Sequence, residues 1–234
     1  MRSVEAGSLV VPTLHQASSE QARFFDYRSA ANPQQSGLIS SVPYRSFSPA
    51  FFDQSGCEVL PLDLSKELGC TGPATGPALC ANFVRLDCGD QRTSAVATSQ
   101  LFFVTRGEGE TQACGQTFQW SKGDLLVLPA GGDAIHTSHE KAGLYSVQDA
   151  PLLRYLGVEP TQARFEPSFY SHRDSKRHLE AIANSPTSAR ANRVSVLLGN
   201  SHFPQTRTIT HTLWAMLGIL PAGQIQRPHR HQSI

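Results

Sequence analysis

Short apolar runs separated by glycine, aspartate and proline dominate the middle of the chain. The runs are rich in β-branched and aromatic residues, and each is too short for an ordinary helix. Near-even spacing of such runs is typical of an antiparallel sandwich or barrel in which every strand buries one face. The pattern therefore predicts an all-β domain. The predicted strands are residues 81–86, 101–105, 117–120, 124–128 and 152–157.

The regions on either side of these runs have different patterns. Residues 1–55 mix prolines, polar residues and aromatic residues without a sustained period, and this predicts an arm that packs on a larger body. Residues 174–184 predict the best helix of the chain, with Asp174 or Ser175 as N-cap. Strands are predicted again at 194–198 and 208–220. The predicted order is an N-terminal arm (1–55), a barrel (56–158), a helical linker (159–205) and the opening of a second β unit (206–234).

Composition narrows the class of protein. With 39% hydrophobic and 17% charged residues the chain has an ordinary globular composition, and a net charge of +1 gives no indication of a nucleic acid or a membrane surface as partner. No apolar segment approaches the roughly 20 residues needed to cross a bilayer. The five cysteines are odd in number and form no C-x-x-C pair, which argues against a disulfide framework and a zinc site. We expect a cytoplasmic protein, and an aromatic arm of this kind predicts a homo-oligomer.

Two histidines near the end of the sequence are the strongest candidates for metal ligands. His229 and His231 follow a predicted turn at residues 221–223, and in an extended strand the side chains at i and i+2 point to the same face. Two imidazoles seldom make a complete site, so further ligands are expected from elsewhere. A solvent-facing basic tail is the alternative interpretation of these residues.

Two segments resemble conserved cupin motifs. Gly223 followed after five residues by His-x-His resembles the first cupin motif, and Gly123, Pro129, Gly131 and His136 occur in the order of the second. Their presence in one chain resembles a bicupin, which implies a cupin double-stranded β-helix (jelly-roll) barrel followed by the start of a second cupin.

The first cupin-like unit departs from the motif at the positions of its metal ligands. Counting forward from Gly89, the resemblance places Ala95 and Ala97 where histidines are expected, and Gln100 where many cupins have glutamate. His136 remains, and one imidazole does not hold a transition metal tightly. We expect no metal in this barrel. His136 and Gln100 are candidates for a pocket in it, and the alternative for His136 is a hydrogen-bonded core histidine.

The segment Pro228-His229-Arg230-His231 is similar to the corresponding motif of the gentisate 1,2-dioxygenases and 1-hydroxy-2-naphthoate dioxygenases. The resemblance implies non-haem Fe(II) in the second barrel, held by His229, His231 and a third histidine that is not in this chain. It also implies cleavage of a small hydroxylated aromatic acid such as gentisate. The chain is expected to be truncated within the second cupin and inactive alone.

Two other classes of function stay open at this point. One is a non-catalytic bicupin that binds a small molecule or serves in oligomer assembly. The other is a different metal-dependent cupin enzyme, such as an isomerase or a decarboxylase. The cupin fold alone does not choose among them, because function resides in the site and not in the fold.

Overall fold

The computed structural model describes residues 22–31, 37, 43–185, 193–220, 222–223 and 225–226. The chain forms two compact units, Met1–Val42 and Pro43–Ile234. In the first unit, helix α1 (Tyr27–Ala30) begins after Asp26, whose carboxylate accepts the backbone N–H of Arg28. Two aromatic side chains beside it, Phe24 and Phe25, are exposed, as is Tyr27.

The second unit is built on one large antiparallel sheet, and the prediction of an all-β fold of the cupin type is confirmed. The strands follow the order β1-β2-β7-β3-β6-β8, with β4 joined to β5 and to β7. The strands are β1 (Glu58–Pro61), β2 (Cys80–Thr93), β3 (Ser99–Arg106), β4 (Glu108–Ala113), β5 (Gln116–Ser121), β6 (Leu125–Pro129), β7 (Ala134–Gln148) and β8 (Ser168–Tyr170).

The long strand β7 pairs with three other strands of the sheet. Its first half pairs with β4 and its second half with β3, while β2 follows it along almost its whole length. The β2–β7 ladder shifts register between Asp87 and Gly89, and Cys88 at this position has a positive φ of 52°. Bulges of this kind bend a strand and increase its twist, which curls the sheet into a barrel.

Alternate residues of each strand face the inside and the outside of this barrel. On β3, Phe102 and Val104 point inward, where they join buried side chains from β2, β4, β5, β6 and β7. Leu101 lies on the outer face with Leu125 and Val127 of β6, in a second apolar cluster. The 3-10 helix Pro49–Asp53 covers another part of the sheet.

The helices differ in part from the sequence predictions. The predicted strand 152–157 is wrong: α3 spans Ala150–Leu156 and ends at Gly157, which has a positive φ of 66°. Helix α4 spans His172–Ala183, and its N-cap is Ser171, not Asp174 or Ser175. The remaining helix is α2 (Ser65–Leu68), and no helix among the described residues is long and apolar enough to span a membrane.

A second, two-stranded sheet follows α4. Strand β9 (Val194–Leu198) pairs antiparallel with β10 (Ala215–Ile219). The predicted strand 208–220 is therefore too long, since residues 209–213 form a tight turn in which Ile209 N–H donates to the Leu213 carbonyl. Within the segment 159–205, predicted as a helical linker, the described elements are β8, α4 and β9.

Candidate functional site

His136 lies at the centre of the first barrel, on β7. Its side chain is fully buried, and its ring centroid is 4.6 Å from that of Phe102. Both ring nitrogens are in hydrogen bonds: Nε2 is 2.9 Å from Thr93 Oγ1, and Nδ1 is 2.8 Å from Thr111 Oγ1. The two threonines stand on β2 and β4, the strands that flank this part of β7.

The indole of Trp120 completes this hydrogen-bonded chain. Its Nε1–H donates to Thr111 Oγ1 over 2.9 Å. A neutral imidazole fits these contacts with the Thr111 hydroxyl donating to His136 Nδ1 and His136 Nε2–H donating to Thr93 Oγ1. In this arrangement the imidazole has no lone pair left for a metal ion.

Burial also fixes the charge of His136. Desolvation lowers the pKa of this imidazole from 6.5 to about 3, because burial disfavours the positively charged form. The side chain is therefore neutral at physiological pH. A neutral histidine with both nitrogens in hydrogen bonds is a structural element of the barrel core.

The other residues that the cupin spacing selected in this unit lie at one end of the barrel. Gln100 is buried on β3 and donates from Nε2 to the Gly132 carbonyl over 2.7 Å, so it ties the loop before β7 to the barrel. Ala95 and Ala97 lie in the loop between β2 and β3, and Ala97 is buried. Gln100 and His136 have different hydrogen-bond partners and share none.

The interior of the first barrel does not fit an iron ion. The nitrogens of His136 are occupied, and Ala95 and Ala97 carry no donor atom. Within the described ranges, no group of three or more histidine, cysteine, aspartate or glutamate side chains is placed to hold a metal ion. His229 and His231 lie outside the described residues.

The outer face of the barrel positions the chain that leads toward those two histidines. Ile209 and Leu213 are buried against Leu101, Leu125 and Val127 of β3 and β6. Strand β10 starts two residues after Leu213, and Gly223 beyond it has the positive φ of 78° expected of the predicted turn. The second sheet thus rests on the first barrel.

A buried carboxylate reinforces this contact, and the sequence motifs did not indicate it. Asp149 is fully buried and accepts hydrogen bonds from Thr98 N (2.8 Å), Thr98 Oγ1 (2.5 Å) and Thr212 Oγ1 (2.9 Å). It therefore links the loop before β3 to the turn before β10. Its partners are distant in sequence, so no local pattern could have identified the link.

Comparison with curated proteins gives one partial match. The 5-aminosalicylate 1,2-dioxygenase of Comamonas sp is 33% identical over 81 residues, which cover 34% of this chain and 21% of that protein. The match thus spans about a fifth of the relative's length. No protein-family model matches the chain.

Comparison with solved structures relates the fold to the same kind of enzyme. A variant of the salicylate 1,2-dioxygenase of Pseudoaminobacter salicylatoxidans has a TM-score of 0.53 at 15% identity, covering 81% of this chain and 73% of that chain. A structure of the same enzyme with gentisate covers 61% of this chain and 33% of that one, with 21% identity and a TM-score of 0.39. The first of these matches establishes a shared fold, and with the curated match it confirms the resemblance to cupin dioxygenases.

Proposed function

Because the chain has the fold of the cupin dioxygenases, we propose that it is part of a ring-cleaving dioxygenase that acts on a small hydroxylated aromatic acid. The observation that carries the proposal is its 33% identity over 81 residues with 5-aminosalicylate 1,2-dioxygenase. The His229-Arg230-His231 segment adds the ligand type that a non-haem iron requires. Gentisate and salicylate are the first substrates to test.

The proposed site is in the second cupin, because the first barrel does not fit a metal. His229 and His231 would hold Fe(II), together with a third histidine that this chain does not supply. When bound, such an iron supplies the Lewis-acid and redox chemistry for cleavage of the ring by dioxygen. The described residues have a positioning role, in which the Ile209–Leu213 turn, packed on the first barrel and linked to Asp149, fixes the start of β10.

Iron content and oxygen uptake test this proposal on a protein that also supplies the third ligand. After anaerobic loading with ferrous iron, we expect oxygen consumption with gentisate or salicylate. His229→Ala and His231→Ala should lose both iron and turnover, because loss of a ligand removes affinity and geometry together. His139→Ala, at an exposed position on β7, is the matched control and should retain both.

His136→Ala gives a second comparison. Assayed below its unfolding temperature, this variant should keep its iron and most of its turnover, since His136 contacts threonines and not a metal. Loss of iron from folded His136→Ala would contradict the assignment of the site to the second cupin. The 234-residue chain alone should be inactive, and appreciable turnover from it would place the site elsewhere.

A non-catalytic bicupin is the second candidate, and the filled interior of the first barrel favours it. Such a protein would bind a small molecule or serve in oligomer assembly. The exposed Phe24, Phe25 and Tyr27 support self-association in either case, and sedimentation should give a dimer or larger species. An iron-replete sample that consumes no oxygen with any hydroxylated aromatic acid would select this second candidate.

A further inference from the structure

A cavity of about 330 Å³ lies beside the junction between the first barrel and the turn before β10. Thr98 and Ala130 contribute to it from the barrel, and Gln162 from the segment after α3. Its charged lining comes from Glu159, Arg164 and His211. No cupin motif includes these residues.

The ring of His211 is held at the cavity by aromatic neighbours. Phe203 meets it edge-on, with ring centroids 4.7 Å apart and planes at 69°, and Phe165 lies 6.0 Å away. Phe165 is itself buried in the apolar cluster on the outer face of the barrel. The imidazole is therefore oriented by the same packing that holds the second sheet, although it remains exposed to solvent.

A guanidinium and an imidazole face this cavity, and the described residues offer neither of them a polar partner. Among the described residues, neither the Arg164 guanidinium nor the His211 imidazole has a hydrogen-bond or ion-pair partner in the structure. Burial and then the nearby Arg164 lower the pKa of His211, and His202 acts in the same direction. When His211 is protonated, it and Arg164 repel each other, and an anion between them would offset this repulsion.

The negative groups nearby only partly offset the positive charge at Arg164 and His211. Asp149 raises the pKa of His211, but its oxygens already accept from Thr98 and Thr212, and it is fully buried behind them. Glu159 lines the cavity and forms no ion pair with Arg164 in the described part of the chain. The guanidinium thus keeps its donors available for a ligand.

We propose that this cavity binds an oxyanion, either the carboxylate of a small organic acid or free phosphate, between Arg164 and His211. Arg164 donates to the anion through a charge-assisted hydrogen bond, and protonated His211 supplies the second positive charge. Binding strengthens as the pH falls through the pKa of His211, since protonation adds that charge. The proposed anion site uses none of the residues proposed to hold iron, and its test does not depend on turnover.

Sodium benzoate and sodium phosphate, each titrated at constant ionic strength, distinguish the two sources. The readout is the imidazole NMR signal of His211, assigned by its loss in His211→Gln. We expect one probe to shift this signal saturably and to raise the pKa of His211, because the bound anion stabilises the imidazolium. Whichever probe saturates at the lower concentration identifies the source, and saturation by neither would overturn the proposal.

Charge variants decide whether the predicted groups form the site. Arg164→Gln should weaken binding about tenfold, because the variant loses a charge-assisted hydrogen bond to the anion at an exposed site. Glu159→Gln should strengthen it by about twofold, because a repelling carboxylate is removed. Arg177→Gln, an exposed arginine on α4, is the control and should change nothing. Equal weakening by Arg164→Gln and Arg177→Gln would mean non-specific attraction and would also overturn the proposal.

Discussion

The inner and outer faces of strands β3 and β6 meet different neighbours. Inside, Phe102 packs against His136, whose two nitrogens are both in hydrogen bonds. Outside, Leu101 and Val127 pack against Ile209 and Leu213, which belong to the turn before β10. The same strands therefore enclose a packed, hydrogen-bonded core on one side and support a second sheet on the other. A barrel that does not fit a metal ion still supports the second sheet through its outer face.

The largest effect is expected on the inner face. His136→Ala should lower the free energy of unfolding by roughly 3–5 kcal/mol, because it leaves a cavity and removes a partner from each of two buried hydroxyls. Urea unfolding followed by tryptophan fluorescence measures this, since Trp120 belongs to the same hydrogen-bonded chain. His139→Ala, exposed on the same strand, should change stability by less than about 0.5 kcal/mol. Similar values for the two variants would mean that the network around His136 contributes little.

The pH dependence of stability also tests the contribution of buried His136. The unfolded chain protonates His136 near its ordinary pKa of 6.5, whereas the folded protein keeps it neutral down to about 3. Between these values the unfolded state binds more protons, so this contribution is complete above pH 6.5 and is lost as the pH falls. The expected slope is about 1.4 kcal/mol per pH unit.

Unfolding at pH 6.5, 5.5 and 4.5 measures this slope, and His136→Gln is the comparison because glutamine does not titrate. The difference in slope between the two proteins isolates His136 from other groups, including the carboxyl of Asp63, whose pKa its hydrogen bonds lower. Parallel slopes for the wild type and His136→Gln would show that the buried imidazole does not resist protonation.

On the outer face, Leu213→Ala should cost about 2–3 kcal/mol through the cavity that it leaves in the cluster. If the outer cluster holds the second sheet independently of the core, the rate of amide hydrogen exchange should increase most in β10 and least in β7. Leu220→Ala, at a position 51% exposed, is the matched control and should have little effect. Uniform loss of protection across both sheets would mean that the two faces form one cooperative unit.

The smallest effect is expected at Asp149. Thr212→Val removes one of the hydroxyl donors to this carboxylate, and we expect a loss of about 1 kcal/mol. Chemical denaturation can resolve this against Thr117→Val, an exposed strand position on β5. No difference between the two variants would mean that the two donors from Thr98 satisfy Asp149 by themselves.

The sequence was most informative where apolar residues form short isolated runs. The strands around 101–105 and 124–128 were predicted because these runs are short, rich in β-branched or aromatic residues, and separated by Gly, Asp or Pro. The strand prediction at 152–157 was wrong because its signals are shared with a helix: Pro151 suits a first turn and Gly157 suits a left-handed C-cap. Strand β7 was not predicted, since its middle residues are polar and it gains its order from three neighbouring strands.

The candidate sites were less accessible to sequence reasoning than the fold. His136 was selected by its cupin spacing, but its partners Thr93 and Thr111 are 43 and 25 residues away in the sequence. Arg164 and His211 are brought to one cavity by the packing of a turn on the barrel. Neither relation leaves a local pattern, because both depend on contacts between segments that are far apart in the chain.

The crowding at Gly143 has a consequence for the order in which the molecule assembles. A Cβ atom at this position would lie 2.6 Å from the Phe52 ring, so that ring packs directly on the β7 backbone at Gly143. This packing surface is complete only after β7 has paired with β2 and β3, which are distant from it in sequence. We therefore expect residues 49–53 to finish packing late in folding, because on a nascent chain their packing surface is incomplete until β7 has been made.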